Sequence, residues 1–293
     1  MGSSRHGRTI EFMLAVAFVL IVFAACTSMP TAFPPQGITL SPTPLYGKFI
    51  WRDLLTEDPA AAKHFYAGLL GWQYEEKTAF GEAYTLIKSD GQYIGGIVKV
   101  KRPQPDQPVS QWLGYVSVPD VDRAVAQTKA AGGRLVDGPT DIAQVGRGAV
   151  IIDPQGAPIG FLQTSFGDPA DTAQPTLSHF LWTEYLARDP QDAVSFYSTL
   201  LGYETVEENI GSEPYYVLKR GRARAGVLQN PVKNAEPIWL SYVMVANPAS
   251  AAAKAAQLGG RVLLAPRKDV RNGTLAIIAD PSGAVLALQK WPI

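Results

Sequence analysis

The chain has 293 residues with 26 Lys+Arg against 26 Asp+Glu, so it lacks the basic excess that neutralising nucleic-acid phosphates requires. A hydrophobic share of 46% against 18% charged suffices for packed cores and excludes a disordered chain. One Cys and three His (His6, His64, His179) rule out a disulfide framework and zinc sites of the Cys₄ or Cys₂His₂ type.

The first apolar run, Phe12 to Ala25, carries no charge and follows Arg5 and Arg8. It is shorter than the ~20 residues that span a bilayer and fits the apolar core of a secretory signal. The run ends Phe23-Ala24-Ala25-Cys26, which resembles the lipobox of bacterial lipoproteins, with Phe23 and Glu11 as departures from the usual pattern. That resemblance implies a signal peptide over 1–25 and lipidation of Cys26. An uncleaved anchor or a secreted protein with a stray Cys is the competing reading. Residues 26–46 carry no charge and include Pro30, Pro34, Pro35, Pro42 and Pro44, which favour an extended tether. Thr27 rather than Asp after the Cys implies, by the same resemblance, the outer membrane of a Gram-negative host.

The remainder is one unit written twice. Phe49, Trp51, Leu55, Asp58, Pro59, Phe65, Tyr66, Leu69, Leu70 and Gly71 recur 131 positions later, from Phe180 and Trp182 to Gly202. Farther on, Trp112, Tyr115, Gly132, Gly133, Asp153, Pro154 and Gly156 recur at a spacing of 127, as Trp239, Tyr242, Gly259, Gly260, Asp280, Pro281 and Gly283. A tandem duplication is the expectation, with domains over 47–165 and 179–293 joined by the Pro/Gly-punctuated 166–178.

Each copy subdivides again. Residues 49–57 read as a strand, Asp58 as an N-cap with Pro59 at the first helical position, and Gly71 as the stop. Ala62, Phe65, Tyr66, Leu69 and Leu70 mark the buried helix face. Strands are placed at 83–88 and 93–101. The pattern restarts at 112–118, with a helix from Asp120 to Gly132-Gly133, strands at 134–136 and 149–152, and a last strand after Asp153-Pro-Gln-Gly. The predicted architecture is α+β, with four βαβββ modules in two tandem domains.

Strand, Asp-Pro, helix with Phe65-Tyr66 and Leu69-Leu70-Gly71, then Asp153-Pro154-x-Gly156, together resemble the vicinal oxygen chelate superfamily of glyoxalases, bleomycin-resistance proteins and dioxygenases. The resemblance runs from 47 to 291, and Trp-x-Asp/Glu near the start of each copy is similar to its tandem glyoxalase-like subgroup. It implies curved mixed sheets forming open clefts, with helices outside. It also implies metal ligands seven residues before each helix cap and seven after the Asp of Asp-Pro-x-Gly. Here those positions are Trp51, Trp182, Leu113 and Leu240, then Gly160 and Ala287. None donates to a divalent cation, so no metal and no cofactor is expected. His64, replaced by Ser195 in the second copy, reads as solvated, and His179 is assigned no chemistry.

Side chains two apart on a strand share a face, so Asp53 and Leu55 accompany Trp51, and Glu184 and Leu186 accompany Trp182. The same parity sends Leu113, Tyr115 and Ser117 to one cleft, and Leu240, Tyr242 and Met244 to the other. The expected ligand-binding residues are Trp51, Asp53, Tyr115, Trp182, Glu184 and Tyr242. They suit a flat or amphipathic small molecule, cationic in one version, with indole as platform and carboxylate as anchor. The functional expectation is a membrane-tethered, metal-independent binding protein in the cell envelope, with no nucleic-acid partner and a tandem arrangement that fits a monomer. Two alternatives stay open. One is a lyase or isomerase using Asp53 or Glu184 as base, or a metal at residues other than those mapped; the other is a structural lipoprotein with closed clefts.

Overall fold

The computed structural model describes residues 37–79, 82–101, 109–210 and 213–291. The signal-like run and Cys26 lie outside them. Among the described residues no helix is long and apolar enough to cross a membrane.

The first copy comprises β1 (Phe49–Thr56), α1 (Pro59–Leu70), β2 (Gln73–Ala79), β3 (Glu82–Ser89), β4 (Gln92–Lys99), β5 (Gln111–Ser117), α2 (Val121–Ala130), β6 (Arg134–Ile142), β7 (Gly146–Ile152) and β8 (Pro158–Thr164). The second repeats it as β9 (Phe180–Ala187), α3 (Pro190–Leu201), β10 (Glu204–Ile210), β11 (Glu213–Arg220), β12 (Arg222–Gln229), β13 (Ile238–Met244), α4 (Pro248–Gln257), β14 (Arg261–Leu264), β15 (Leu275–Ala279) and β16 (Val285–Gln289). Four βαβββ modules result, as expected from the repeat. Each copy forms one open eight-stranded mixed sheet, ordered β2-β3-β4-β1-β5-β8-β7-β6 and β10-β11-β12-β9-β13-β16-β15-β14. The antiparallel pairs β1/β5 and β9/β13 lie at the sheet centres and join the two modules of each copy.

Local chemistry explains the helices. Asp58 accepts a hydrogen bond from the Ala61 amide at 2.9 Å, and Gly71 ends α1 in the left-handed region at φ 73°, where a Cβ would be strained. Asp120, Asp189 and Asn247 cap α2, α3 and α4 in the same way, each satisfying amides that the first helical turn leaves free. One strand was not placed from the sequence, and another exceeds its predicted extent. β2 is a polar edge strand of sequence QYEEKTA, held by Lys63–Glu76 and by Lys77 and Lys88 on Glu75. β6 runs on to Ile142, past the 134–136 read from sequence.

The helix-bearing faces of the two sheets meet. One core joins Phe49, Val116, Val121 and Phe161 to Tyr185, Tyr197 and Trp239. The other joins Leu54, Phe65, Tyr66 and Trp112 to Val243, Ala255 and Leu286. Phe49 packs on Trp239 at 5.0 Å between ring centroids, and Phe180 on Trp112 at 5.4 Å, so the repeated aromatics serve the junction between copies. The end of the expected tether belongs to this body. Thr39 and Ser41 pair with 168–170 through backbone bonds, Leu45 donates to Asp168, and Lys48 reaches the Pro169 carbonyl at 2.6 Å and Asp171 at 3.2 Å.

Candidate functional site

Meeting through their helix sides leaves each sheet a second face, lined in the first copy by Leu55, Leu113, Val98 and Tyr115 and in the second by Leu186, Leu240, Tyr242 and Trp182. Strand alternation places Trp51 and Asp53 on the first of these faces. Arg52, between them, points the other way, giving Nη2 to Thr183 Oγ1 at 2.7 Å and Nε to Ser241 Oγ at 3.2 Å. It stacks over Phe180 at 4.6 Å, and burial lowers its pKa to about 10. The cation adjacent to Asp53 in sequence is thereby committed to the junction.

In the first cleft, Trp51 Nε1 donates to Asp53 Oδ1 at 3.0 Å and to Tyr84 Oη at 2.9 Å, while Tyr84 donates to Asp53 Oδ1 at 2.8 Å. Tyr115 faces the same carboxylate closely enough to stabilise its charge. Burial nevertheless dominates, since Asp53 is only 7% exposed, and raises its pKa from 3.8 to about 6 by disfavouring the charged form. Half-buried Asp137 on β6 also acts on Tyr115, and burial raises its carboxyl too. Trp51, Tyr84 and Tyr115 are each partly exposed, which places them at the rim.

The second cleft repeats the frame with a different charge balance. Trp182 Nε1 donates to Tyr215 Oη at 3.0 Å, and Tyr215 donates to Glu184 Oε1 at 2.7 Å. Tyr242 bonds the other carboxylate oxygen, and Arg271 Nη2 forms an ion pair with Oε1. Arg271 opens a short 3₁₀ turn, Arg271–Gly273. Its burial opposes the charge, but Glu184 more than compensates and holds the guanidinium more basic than usual. Gln144 is the matching position of the repeat, but it lies exposed on the turn between β6 and β7, so the first copy sends no cation from this segment to its carboxylate. Among the described residues, no ion pair neutralises Asp53.

All six expected site residues thus gather as two trios, Trp51, Asp53 and Tyr115 in one cleft and Trp182, Glu184 and Tyr242 in the other. Sequence reading missed Tyr84, Tyr215, Arg271 and Asp137. Ser117 is drawn to the connecting segment, giving its hydroxyl to Asp168 at 2.7 Å. His64 is exposed, and half-buried His179 contacts the Ser89 carbonyl at 3.2 Å. A groove of about 480 Å³ lies away from both clefts, beside Leu70, Ser89, Gly91 and Leu177.

The positions that the resemblance assigns to metal ligands do not fit a divalent cation. Trp51 and Trp182 offer no lone pair, and a Cβ on Gly160 would come within 2.2 Å of the Tyr115 ring. Ala287 is fully buried beside Tyr242. Among the described residues there is no group of three or more His, Cys, Asp or Glu suited to a metal ion.

The pattern of the Glyoxalase/Bleomycin resistance protein/Dioxygenase superfamily matches residues 48–161, and that of a glyoxalase-like domain matches 183–288. The protein named "Putative glyoxylase CFP32" from Mycobacterium bovis is 32% identical over 244 residues, covering 82% of this chain and 93% of its own. The anthracycline biosynthesis protein DauV from Streptomyces sp. strain C5 is 28% identical, with 80% and 90% covered. Among solved structures, the Mn(II)-bound glyoxalase from Novosphingobium aromaticivorans superposes with a TM-score of 0.56 at 16% identity, covering 84% of this chain and 82% of that one. Homoprotocatechuate 2,3-dioxygenase from B. fuscum gives 0.55 at 16%, with 85% and 72% covered; at such identities the likeness is one of fold. With both copies matched and a full-length relative at 32% identity, the chain belongs to the glyoxalase/bleomycin-resistance/dioxygenase superfamily, as two tandem domains.

Proposed function

We propose that the first cleft binds a small organic molecule and that the second is its self-satisfied structural counterpart. The observation that carries this reading is the fate of one carboxylate. Glu184 has two phenols and the guanidinium of Arg271, whereas Asp53 has an indole and two phenols but, among the described residues, no cation. A buried charge left in that state costs stability, and proteins keep such costs where a ligand relieves them. A thermal-shift screen of the full chain against aromatic amines, aromatic alcohols and glutathione conjugates tests the reading. A ligand at 100 times its Kd stabilises by about 2.7 kcal/mol, several degrees for a protein of this size. The shift is expected to vanish in Trp51→Ala and to persist in Trp182→Ala; the reverse pattern would overturn the assignment.

Asp53 supports a second reading, as the base of a lyase or isomerase. A carboxyl held near pH 6 sits close to the pH at which a general base works best, and the glyoxylase name of a relative points the same way. Turnover of a glutathione-conjugated aldehyde, abolished in Asp53→Asn with binding retained, would establish it. The proposed setting is the cell envelope, with the lipid on Cys26 as anchor. Support comes from the apolar run ahead of that Cys and the uncharged stretch after it. Cys26→Ala is expected to release the protein from membranes, which fractionation would read.

A further inference from the structure

Resting on the first cleft as the binding site, we infer that its ligand carries an ammonium or guanidinium group, seated where Arg271 sits in the second copy. The two clefts share one frame. In each, an indole N–H donates to a tyrosine hydroxyl, 2.9 Å for Trp51–Tyr84 and 3.0 Å for Trp182–Tyr215. That hydroxyl donates to the carboxylate, at 2.8 Å for Asp53 and 2.7 Å for Glu184. A glycine makes room for each tyrosine: a Cβ on Gly96 would lie 1.9 Å from Tyr84 Oη, and one on Gly226 2.0 Å from Tyr215 Oη.

Within this frame three positions change, and all change in one sense. Glu184 becomes Asp53, one methylene shorter, which draws the carboxylate back toward its strand. Arg271 becomes Gln144, removing the cation. Leu264, packed in the second cleft, becomes Asp137, adding a carboxylate beside Tyr115. The second cleft holds one anion and one cation; the first holds two anions and, among the described residues, no cation.

The second cleft also shows what the frame binds. The guanidinium carbon of Arg271 lies 5.9 Å from the Tyr215 ring and 5.5 Å from the Tyr242 ring, while its nitrogen meets Glu184. Ring faces and a carboxylate together are the ordinary recognition of an organic cation. Tyr84 and Tyr115 are the counterparts of those two rings, and the partly exposed Trp51 supplies an apolar wall for the rest of a ligand.

Titration calorimetry on the full chain tests this, using phenethylamine and phenethylguanidine against the uncharged 2-phenylethanol and the anionic 3-phenylpropionate. The cations are expected to bind one per chain, with the alcohol weaker by about tenfold or more through loss of a charge-assisted contact. Asp53→Asn is expected to abolish the preference for the cations while leaving the alcohol's affinity unchanged, because it removes the charge that anchors them and keeps the shape of the side chain. The variant also relieves a buried charge, so it is built to fold. Equal affinity for amine and alcohol, or a preference for the amine that survives Asp53→Asn, would overturn the inference. If the alcohol binds as well as the amine and both are lost in Trp51→Ala, the cleft remains a binding site and only the cation fails. If no probe of any charge gives a Trp51-dependent signal, both readings fall. Binding of Mn²⁺ in place of the amines, lost in Asp53→Asn, would overturn the organic class.

Discussion

Tyr197 of the second copy donates its phenolic hydrogen to Asp153 of the first at 2.7 Å, and both side chains are buried. The bond is half of a reciprocal pair. Tyr66 of the first copy reaches Asp280 of the second at 3.2 Å. Asp153 and Asp280 also accept backbone amides of their own Asp-Pro-x-Gly turns, so each turn is anchored to the opposite domain. Trp239 and Trp112 donate in turn to Tyr197 and Tyr66, at 2.8 Å and 3.0 Å.

Tyr197→Phe is therefore expected to destabilise the whole chain. It leaves a buried indole N–H and one carboxylate oxygen without their partner, at a cost of about 2–3 kcal/mol. Tyr66→Phe should cost less, given the longer bond to Asp280. Urea unfolding followed by tryptophan fluorescence reads both; equal or negligible losses would contradict the role given to this pair.

Much of this was legible in the sequence, and the exceptions share a cause. Repeat spacing gave the four modules, and Asp58-Pro59 through Gly71 gave the first helix, because caps and apolar stripes act within a few residues. β2 escaped because QYEEKTA, an edge strand, carries no apolar alternation. Trp51, Asp53, Tyr115 and their counterparts followed from strand parity. Tyr84 lies 31 residues from Asp53, and Arg271 lies 87 from Glu184; partners at such separations leave no local period. One signal was present, since the exchange of Arg271 for Gln144 between aligned copies marks a charge that one cleft needs and the other lacks.

Arg271→Gln tests the self-neutralised second cleft. Removing the guanidinium strands Glu184, which is 1% exposed, and breaking one side of a buried ion pair costs about 3–5 kcal/mol. Adding Glu184→Gln in the same chain should recover most of that loss, because no uncompensated charge remains. A double variant no more stable than Arg271→Gln alone would mean that the guanidinium contributes packing rather than charge.

Gly96→Ala probes the geometry of the first cleft. The new methyl would lie 1.9 Å from Tyr84 Oη and 2.6 Å from Asp53 Oδ1, so Tyr84 must leave the carboxylate. Overpacking of this kind costs about 1–3 kcal/mol, and ligand-induced stabilisation should disappear with the displaced phenol. Thermal shift with and without phenethylamine reads both effects, and an unchanged ligand response would remove Tyr84 from the site.

The pH dependence of stability isolates Asp53. Its folded pKa of about 6 lies above the unfolded 3.8, so between these values the folded chain binds more protons than the unfolded one. Stability contributed by the neutral carboxyl is complete below pH 3.8 and is lost as pH rises through about 6. A difference of that size corresponds to about 3 kcal/mol. Asp53→Asn cannot ionise, so its stability relative to the wild type should rise by about that amount between pH 4 and pH 7. A saturating cationic ligand should flatten the wild-type profile by stabilising the ionised form. Urea unfolding across this range, with and without phenethylguanidine, makes the comparison. A constant difference between variant and wild type would show that Asp53 ionises alike in both states, and the charge argument for the first cleft would fail with it.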